Sequence, residues 1–217
     1  MSVKNIIQAV FNQLIGLIFY GLGIAGIVIA GLGASPIDAF SYYLNKLVPA
    51  INQGYWLAIV NLTIAIILFI ILKKIRLIFS IGIALITGIF VNLGLIIFRQ
   101  VLNLNSTELI SNIYVAILVA SIGIIMMAFG IAWMIVNNSL VSPYDELSIY
   151  LQTLTNNYAL SKMILDGTFL ILAIIVGLIY GKVFEQINVF SIVVVLGLGP
   201  LINIFVKLFK KEVKAWN

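Results

Sequence analysis

The chain has 217 residues, of which 63% are hydrophobic and 9% are charged. This composition leaves too few polar side chains to cover a water-soluble globule, so it excludes that class and predicts an integral membrane protein. The chain contains neither cysteine nor histidine, which excludes disulfides, thiolate metal sites and histidine-based catalysis, and we expect the net charge of +5 to reflect membrane topology rather than a nucleic-acid partner.

Six apolar stretches are long enough to cross a bilayer core of about 30 Å, which takes roughly 20 helical residues. None of them shows the strict alternation that a lipid-facing barrel strand needs, so we expect helices and contact with the lipid bilayer. The predicted spans are 7–31, 54–73, 77–98, 110–136, 158–180 and 187–208.

A motif of four residues, Ser-Pro-X-Asp, occurs at 35–38 and again at 142–145, 107 residues later. The serine can cap a helix, the proline suits the first helical position, and the aspartate completes a capping box. Each copy therefore predicts a short helix, at 36–48 and at 143–155. Further matches, such as Phe-Ser-Ile at 79–81 and 190–192, indicate that the chain is one unit written twice.

The basic residues predict the orientation of the two units. With both termini in the cytoplasm, nine basic residues lie inside and three lie outside, as the positive-inside rule favours. The nine are Lys4, Lys73, Lys74, Arg76, Lys162, Lys207, Lys210, Lys211 and Lys214. Because each unit has three spans, the second enters the membrane from the opposite side, which predicts an inverted repeat.

The predicted fold class is thus an all-α membrane protein of six transmembrane helices, arranged as two inverted three-span repeats that each carry a short capped helix. We place the first repeat at 1–104 and the second at 105–217, within one compact domain. The last residues, from Lys207 to Asn217, carry four lysines and are predicted to form a basic cytoplasmic tail on an anionic leaflet.

Polar residues inside the spans are candidates for a site because they are expensive to insert. Asp166 lies roughly eight residues into the fifth span, with Lys162 one turn earlier as a candidate partner. A structural ion pair, or a protonated acid that faces the bundle, explains this aspartate about as well as an ion or substrate site does. An intramembrane aspartyl hydrolase would need Asp145 and Asp166 to meet, and we expect a non-enzymatic protein without cofactor or metal.

Two further sets of residues are candidates for lining a pathway. Asn92 and Asn203 occupy equivalent places in the two units, although buried amides also serve simply to join helices. The serines and aspartates of the duplicated motif are Ser35, Asp38, Ser142 and Asp145. A lone capping box predicts only a helix start, but two helix amino-termini from opposite faces would line both ends of a central pathway.

The order of these features resembles the bacterial YczE-like membrane proteins and, more distantly, the YitT group. It comprises a glycine-rich first span, two Ser-Pro-X-Asp motifs three spans apart, Asp166, and Gly-Pro-Leu-Ile at 199–202. The resemblance implies a multi-pass bacterial plasma-membrane protein of a kind commonly catalogued as transporters or permeases. Ile37 and Tyr144 depart from it where Trp is frequent, and 137–141 replaces a glycine-rich turn.

These observations favour a secondary transporter or exporter of a small solute, ion-coupled through its intramembrane carboxylates. The other hypothesis is a non-transporting membrane subunit or regulator that binds a partner protein. The sequence leaves open the substrate and a choice between a homo-oligomer and a partner membrane protein.

Overall fold

The computed structural model describes residues 3–51, 53–74, 76–105 and 109–210, with side chains described from residue 7. Within these residues the chain is all-helical. The α-helices are α1 (Val3–Ala30), α2 (Pro36–Leu47), α3 (Gln53–Leu72), α4 (Arg76–Leu102), α5 (Ile113–Val136), α6 (Pro143–Thr155), α7 (Tyr158–Tyr180) and α8 (Val189–Lys210). A 3₁₀ turn, Val183–Glu185, lies between α7 and α8. The predictions for Lys4, Lys211, Lys214 and residues 106–108 and 211–217 lie outside the described side chains.

Six of the described helices are long and apolar enough to cross a membrane, and they correspond to the six predicted spans. Besides the start of α1 at Val3, two boundaries differ from prediction by three residues or more. The fourth span begins at Ile113 rather than 110 because the side chain of Asn112 accepts hydrogen bonds from the amides of Tyr114 and Val115, which makes it the helix cap. The third span runs on to Leu102, and the positive charge of Arg99 in its last turn suits the negative end of the helix dipole.

The centre of the fold is the antiparallel packing of α1 against α5, where glycines bring the two backbones together. A Cβ built on Gly23 would lie 2.4 Å from the amide nitrogen of Met127 and 2.6 Å from the carbonyl oxygen of Gly123. A Cβ on Gly130 would lie 2.6 Å from the amide nitrogen of Tyr20. Such close approach increases the van der Waals contact that holds helices together in lipid.

The other helices are arranged around this pair in matching fashion. α4 packs on α1, and α8 packs on α5. The short helices α2 and α6 each contact both α3 and α7. Two main clusters of buried apolar residues result, one formed chiefly by α1, α4, α5 and α8 and the other chiefly by α2, α3, α6 and α7.

Both short helices begin at a proline that follows an unwound segment. The backbone amides of the two segments donate hydrogen bonds to different kinds of acceptor. Before α2, Gly31 and Gly33 adopt φ of 65° and 136°, and the amide of Ala34 donates to the carbonyl of Gln186 at 3.0 Å. Before α6, Asn138 adopts φ of 52°, which asparagine tolerates better than most residues. There the amide of Leu140 donates to Oε1 of Gln13 at 2.8 Å.

The two capping serines also behave differently. Oγ of Ser142 accepts a hydrogen bond from the amide of Asp145 at 3.2 Å. The equivalent cap predicted at Ser35 is wrong, because that side chain makes no capping hydrogen bond. Its hydroxyl instead donates to Oδ2 of Asp38 at 2.7 Å, so it serves the carboxylate rather than the helix start.

Side-chain hydrogen bonds connect each short helix to another segment of the chain. The two connections lie at opposite ends of the bundle. Near the beginning of α1, Nε of Arg76 donates to Oε1 of Glu146 at 3.0 Å, and the same guanidinium donates to the carbonyl of Ser139. Near the end of α1, the hydroxyl of Tyr42 donates to Oε2 of Glu185 at 2.8 Å. That hydrogen bond is the main reason that the pKa of Glu185, which is exposed, lies below its ordinary value.

Candidate functional site

A cavity of about 560 Å³ lies within the bundle and is lined from both halves of the chain. Its polar lining includes both copies of the Ser-Pro-X-Asp motif and residues from the interior of several spans. These polar residues are Tyr20, Ser35, Asp38, Tyr42, Gln53, Asn61, Thr87, Asn92, Ser142, Tyr144, Lys162, Asp166, Glu185 and Gln186. The volume suits a small molecule or ion rather than a macromolecular ligand.

The wall formed by the second half contains a buried cluster of charges. Nζ of Lys162 lies 3.0 Å from Oδ1 of Asp145 and 3.4 Å from Oδ1 of Asp166. The three side chains are 1%, 0% and 2% exposed. The spacing of four residues along α7 puts Lys162 and Asp166 on one face, so the predicted contact between them is present.

Hydroxyl groups complete the surroundings of the two carboxylates. Oδ2 of Asp145 accepts hydrogen bonds from Ser142 at 2.8 Å and from Tyr20 at 3.3 Å. Oδ1 of Asp166 accepts from the hydroxyl of Tyr144 at 2.6 Å. The ring of Tyr144 also faces Nζ of Lys162, which lies 4.3 Å from its centroid. Asp145 is therefore fully engaged, which is the condition under which a buried charge is tolerated.

Asp166 is only half engaged. Its second oxygen, Oδ2, is buried and has no hydrogen-bond partner within the described part of the chain. The same is true of Oδ1 of Asn61, which belongs to α3 and is 6% exposed, although its amide nitrogen donates to the carbonyl of Leu57 at 3.0 Å. Both residues line the cavity. Unpaired buried acceptors are rare in folded proteins and indicate a place where a donor can bind.

The wall formed by the first half has a looser arrangement. Ser35 is 9% exposed, and the carboxylate of Asp38 accepts from its hydroxyl. Next to these residues, Glu185 and Gln186 of the second half contribute to the lining from the turn between α7 and α8. In the described ranges, no cluster of three or more carboxylates, histidines or cysteines could hold a metal ion.

Comparison with known families gives a match over nearly the whole chain. The family model, described as a family of unknown function (DUF6198), matches residues 7–207. The chain belongs to the DUF6198 family. It is also similar to the uncharacterized protein YyaS of Bacillus subtilis (strain 168), with 29% identity over 162 residues, covering 74% of this chain and 77% of that protein. No solved structure matches.

DUF6198 membership together with six helices of spanning length identifies an integral membrane protein whose function the family does not state. The resemblance to YczE-like proteins stays a prediction. YyaS is itself uncharacterized and adds no activity, so the function of this DUF6198 chain has to be argued from its own cavity and charges.

The structure of this DUF6198 protein gathers most of the predicted site residues at the cavity. Those on the lining are Ser35, Asp38, Asn92, Ser142 and Asp166. Asp145 reaches the cavity through its ion pair with Lys162. Asn203 is half-buried on α8 and does not belong to the described lining, so its equivalence with Asn92 does not extend to the cavity.

The structure corrects the role that the topology prediction gave to Lys162. Lys162, counted as a cytoplasmic charge in the topology argument, is 1% exposed within α7 and binds two carboxylates. It is therefore part of the site and not of the positive-inside bias.

Sequence reasoning missed Tyr20 and the hydroxyl of Tyr144. A tyrosine inside an apolar span was the available signal, because a buried phenol requires a hydrogen-bond partner.

Proposed function

We propose that this protein is a secondary transporter or exporter of a small solute in the bacterial plasma membrane. The observation that carries the proposal is the cavity, which lies within a six-span protein and is lined by both Ser-Pro-X-Asp motifs and by the buried charges of α7. Intramembrane ionisable groups that face a cavity are typical of substrate and ion pathways. Non-helical backbone at each motif is likewise typical of transporter sites.

The proposal includes an inverted repeat, with α1–α4 equivalent to α5–α8. Contacts between the first helices of the units support it. Gly16 packs on Gly130, and Gly23 packs on Gly123, so the contact is reciprocal, as expected of a two-fold relation. The antiparallel packing of α1 and α5 agrees with opposite entry into the membrane. The matching contacts of α2 and α6 with α3 and α7 agree with it too.

We further propose that both termini are cytoplasmic. Without Lys162, the basic residues at that end of the bundle still outnumber Lys46, Arg99 and Lys182 at the other end. The motif containing Ser35 would then lie toward the exterior, and that containing Ser142 toward the cytoplasm. Asp166, Asp145 and Asp38 are the candidate ion-coupling groups.

An enzymatic role is less well supported by the same geometry. Asp145 and Asp166 meet, but they meet on the ammonium group of Lys162. An aspartyl acid–base pair needs two carboxyl groups that face each other and share a proton, whereas both aspartates here contact the ammonium group of Lys162.

Reconstitution of the chain alone into liposomes tests the proposal. A panel of small solutes is added outside, and charge movement and internal pH are recorded. We expect at least one solute to move in wild-type vesicles, and Asp166→Asn to abolish its coupled movement without reducing the amount of folded protein. Thr168→Val, an exposed position on the same helix, is the matched control and should transport normally.

Two outcomes would overturn this reading. If no solute moves and another subunit co-purifies in a stoichiometric amount, the result would favour the other hypothesis, in which this chain is a non-transporting membrane subunit or regulator that binds a partner protein. Equal loss of folded protein and activity in Asp166→Asn would assign that residue a structural role.

Labelling of single cysteines tests access from the two faces. Ser35→Cys and Ser142→Cys can be probed with impermeant thiol reagents because the chain has no cysteine of its own. We expect Ser35→Cys to react from outside and Ser142→Cys from inside. Reaction of both from outside under every condition would reject a pathway with two ends.

A further inference from the structure

Two of the side chains that line the cavity each have a buried oxygen without a hydrogen-bond donor. Oδ2 of Asp166 and Oδ1 of Asn61 have no hydrogen-bond partner in the described residues, and their side chains are 2% and 6% exposed. Neither oxygen is needed to hold the fold, since Asp166 already binds Lys162 and Tyr144 through Oδ1. Burial without a partner costs free energy, so both oxygens favour a ligand that donates hydrogen bonds.

The charged residues of the lining determine whether a cationic or an anionic ligand is favoured. The charged residues on the lining are Asp38, Asp166, Glu185 and Lys162. The single ammonium among these is already bound by Asp145 and Asp166, so it offers little to an anion. The excess of carboxylates therefore attracts a cation and disfavours an anion.

The remaining lining favours an organic cation over a bare metal ion. The described residues contain no cluster of three or more groups suited to a metal. Apolar side chains surround the polar ones, among them Ile24, Leu57, Met127 and Leu198. A metal ion needs six or so oxygen ligands, whereas an ammonium group needs a few acceptors and tolerates an apolar surround for its body.

The positions of Asn61 and Asp166 in their helices match. Asn61 lies eight residues after the start of α3 at Gln53, and Asp166 lies eight residues after the start of α7 at Tyr158. Each residue therefore lies about two turns into its helix, and both residues line the cavity. The side chain of Lys162 already shows what that environment holds, because its ammonium lies between carboxylates and over the ring of Tyr144.

We infer that this cavity binds an organic cation with N–H groups, whose ammonium is held by the free oxygens of Asn61 and Asp166. The inference rests on the proposed transport function and names the chemical class of its substrate. The ammonium donates to both oxygens, while its organic body lies against the apolar lining.

Equilibrium binding to the purified full-length chain in nanodiscs tests it. The probes are ethylammonium and benzylammonium, with benzyltrimethylammonium, benzyl alcohol, benzoate and sodium as comparisons. We expect saturable binding of at least one primary ammonium, tighter than every comparison by about tenfold or more, because hydrogen bonds between charged and buried groups are the stronger kind. Equal binding of benzoate, benzyl alcohol or sodium, or no saturable binding of either primary ammonium, would overturn the inference without any variant having to fold.

Variants then assign the site. Asn61→Leu and Asp166→Asn should each weaken binding of the ammonium by at least about tenfold. Thr63→Val and Thr168→Val, at exposed positions two residues further along the same helices, should leave it unchanged. Unchanged binding in a folded Asn61→Leu variant would remove Asn61 from the site.

The binding and flux experiments distinguish a failure of this inference from a failure of the proposed transport function. Ammonium binding without any flux in liposomes would preserve this inference and reject transport, whereas flux of another class of solute without ammonium binding would do the reverse.

Discussion

The two Ser-Pro-X-Asp motifs share their sequence pattern but not their surroundings. Asp145 of the second copy binds Lys162, Ser142 and Tyr20 and is 0% exposed. Asp38 of the first copy accepts a hydrogen bond from Ser35, and within the described part of the chain it forms no ion pair with an ammonium group. The same frame of helices therefore carries a locked aspartate in one half and an open one in the other. The same four-residue pattern thus lies at the start of a helix in both halves, while the partners contributed by neighbouring helices determine the surroundings of each aspartate.

The largest effect is expected from removing the lysine that locks the second half. Lys162→Met leaves two buried carboxylates without their cation, which should lower the free energy of unfolding by about 3–5 kcal/mol. Denaturant titration in micelles measures this change. Lys182→Met, at a side chain that is 64% exposed, is the control and should change stability by less than about 1 kcal/mol.

The first copy provides the second control, because Asp38→Asn removes no ammonium partner and should also have a small effect. A loss at Asp38 as large as that at Lys162 would contradict the contrast between a locked and an open aspartate.

The next largest effect is expected where α1 and α5 cross, because each half contributes closely packed glycines to this contact. Gly23→Ala and Gly130→Ala each place a Cβ within 2.6 Å or less of the facing backbone, so each should destabilise by about 2–3 kcal/mol, the upper part of the range for overpacking. Gly82→Ala and Gly197→Ala are matched controls, since a Cβ there meets nothing within 4 Å. Alanine at those helical positions should be neutral or stabilising. A strong loss at only one of the two close-packed glycines would contradict the reciprocal contact.

A smaller effect concerns the linker of the second copy. Arg76→Gln removes the ion pair with Glu146 and weakens the contact with Ser139, and the side chains of the pair are 30% and 12% exposed. Because this pair is only partly buried, we expect a loss of about 1–2 kcal/mol. Unfolding of Arg76→Gln alongside Arg76→Lys measures it, since lysine retains the charge without the planar group. Equal stability of all three forms would show that this linker contributes nothing.

The smallest effect concerns the linker of the first copy and depends on pH. The pKa of Glu185 is lowered first by the hydrogen bond from Tyr42, so the associated stability is present above the ordinary glutamate pKa and is lost as pH falls through the lowered value. Tyr42→Phe should raise the pKa of Glu185 and flatten this acid loss. Unfolding of both forms between neutral and acidic pH measures the difference, with Tyr55→Phe, an exposed tyrosine, as the control. Identical acid profiles for Tyr42→Phe and the native chain would contradict the assignment.

The sequence predicted the helices well because span length and proline position are local properties. The apolar runs fixed six spans, and the two prolines marked where α2 and α6 begin. The sequence repeats Gly-Ile-Ala at 23–25 and at 130–132, but the close approach of these glycines to the facing backbone depends on how α1 lies against α5.

The site was predicted in part, for the same physical reason. Asp166 and Lys162 are neighbours along one helix, so their spacing revealed the pair. Asp145 joins them across helices, and no local pattern predicts that contact. The free oxygen of Asn61 was equally hidden, because satisfaction of a polar atom depends on every element that packs near it.

The glycine crossing of α1 and α5 also constrains how this molecule can move. Backbones in direct contact leave no side chain between them that could change rotamer and take up a displacement. We therefore expect the crossing to stay fixed during transport, so that an opening of the interior to one face would involve the outlying helices and the unwound segments ahead of α2 and α6. We expect such a motion to break first the hydrogen bonds that Gln13 and Gln186 make to those segments.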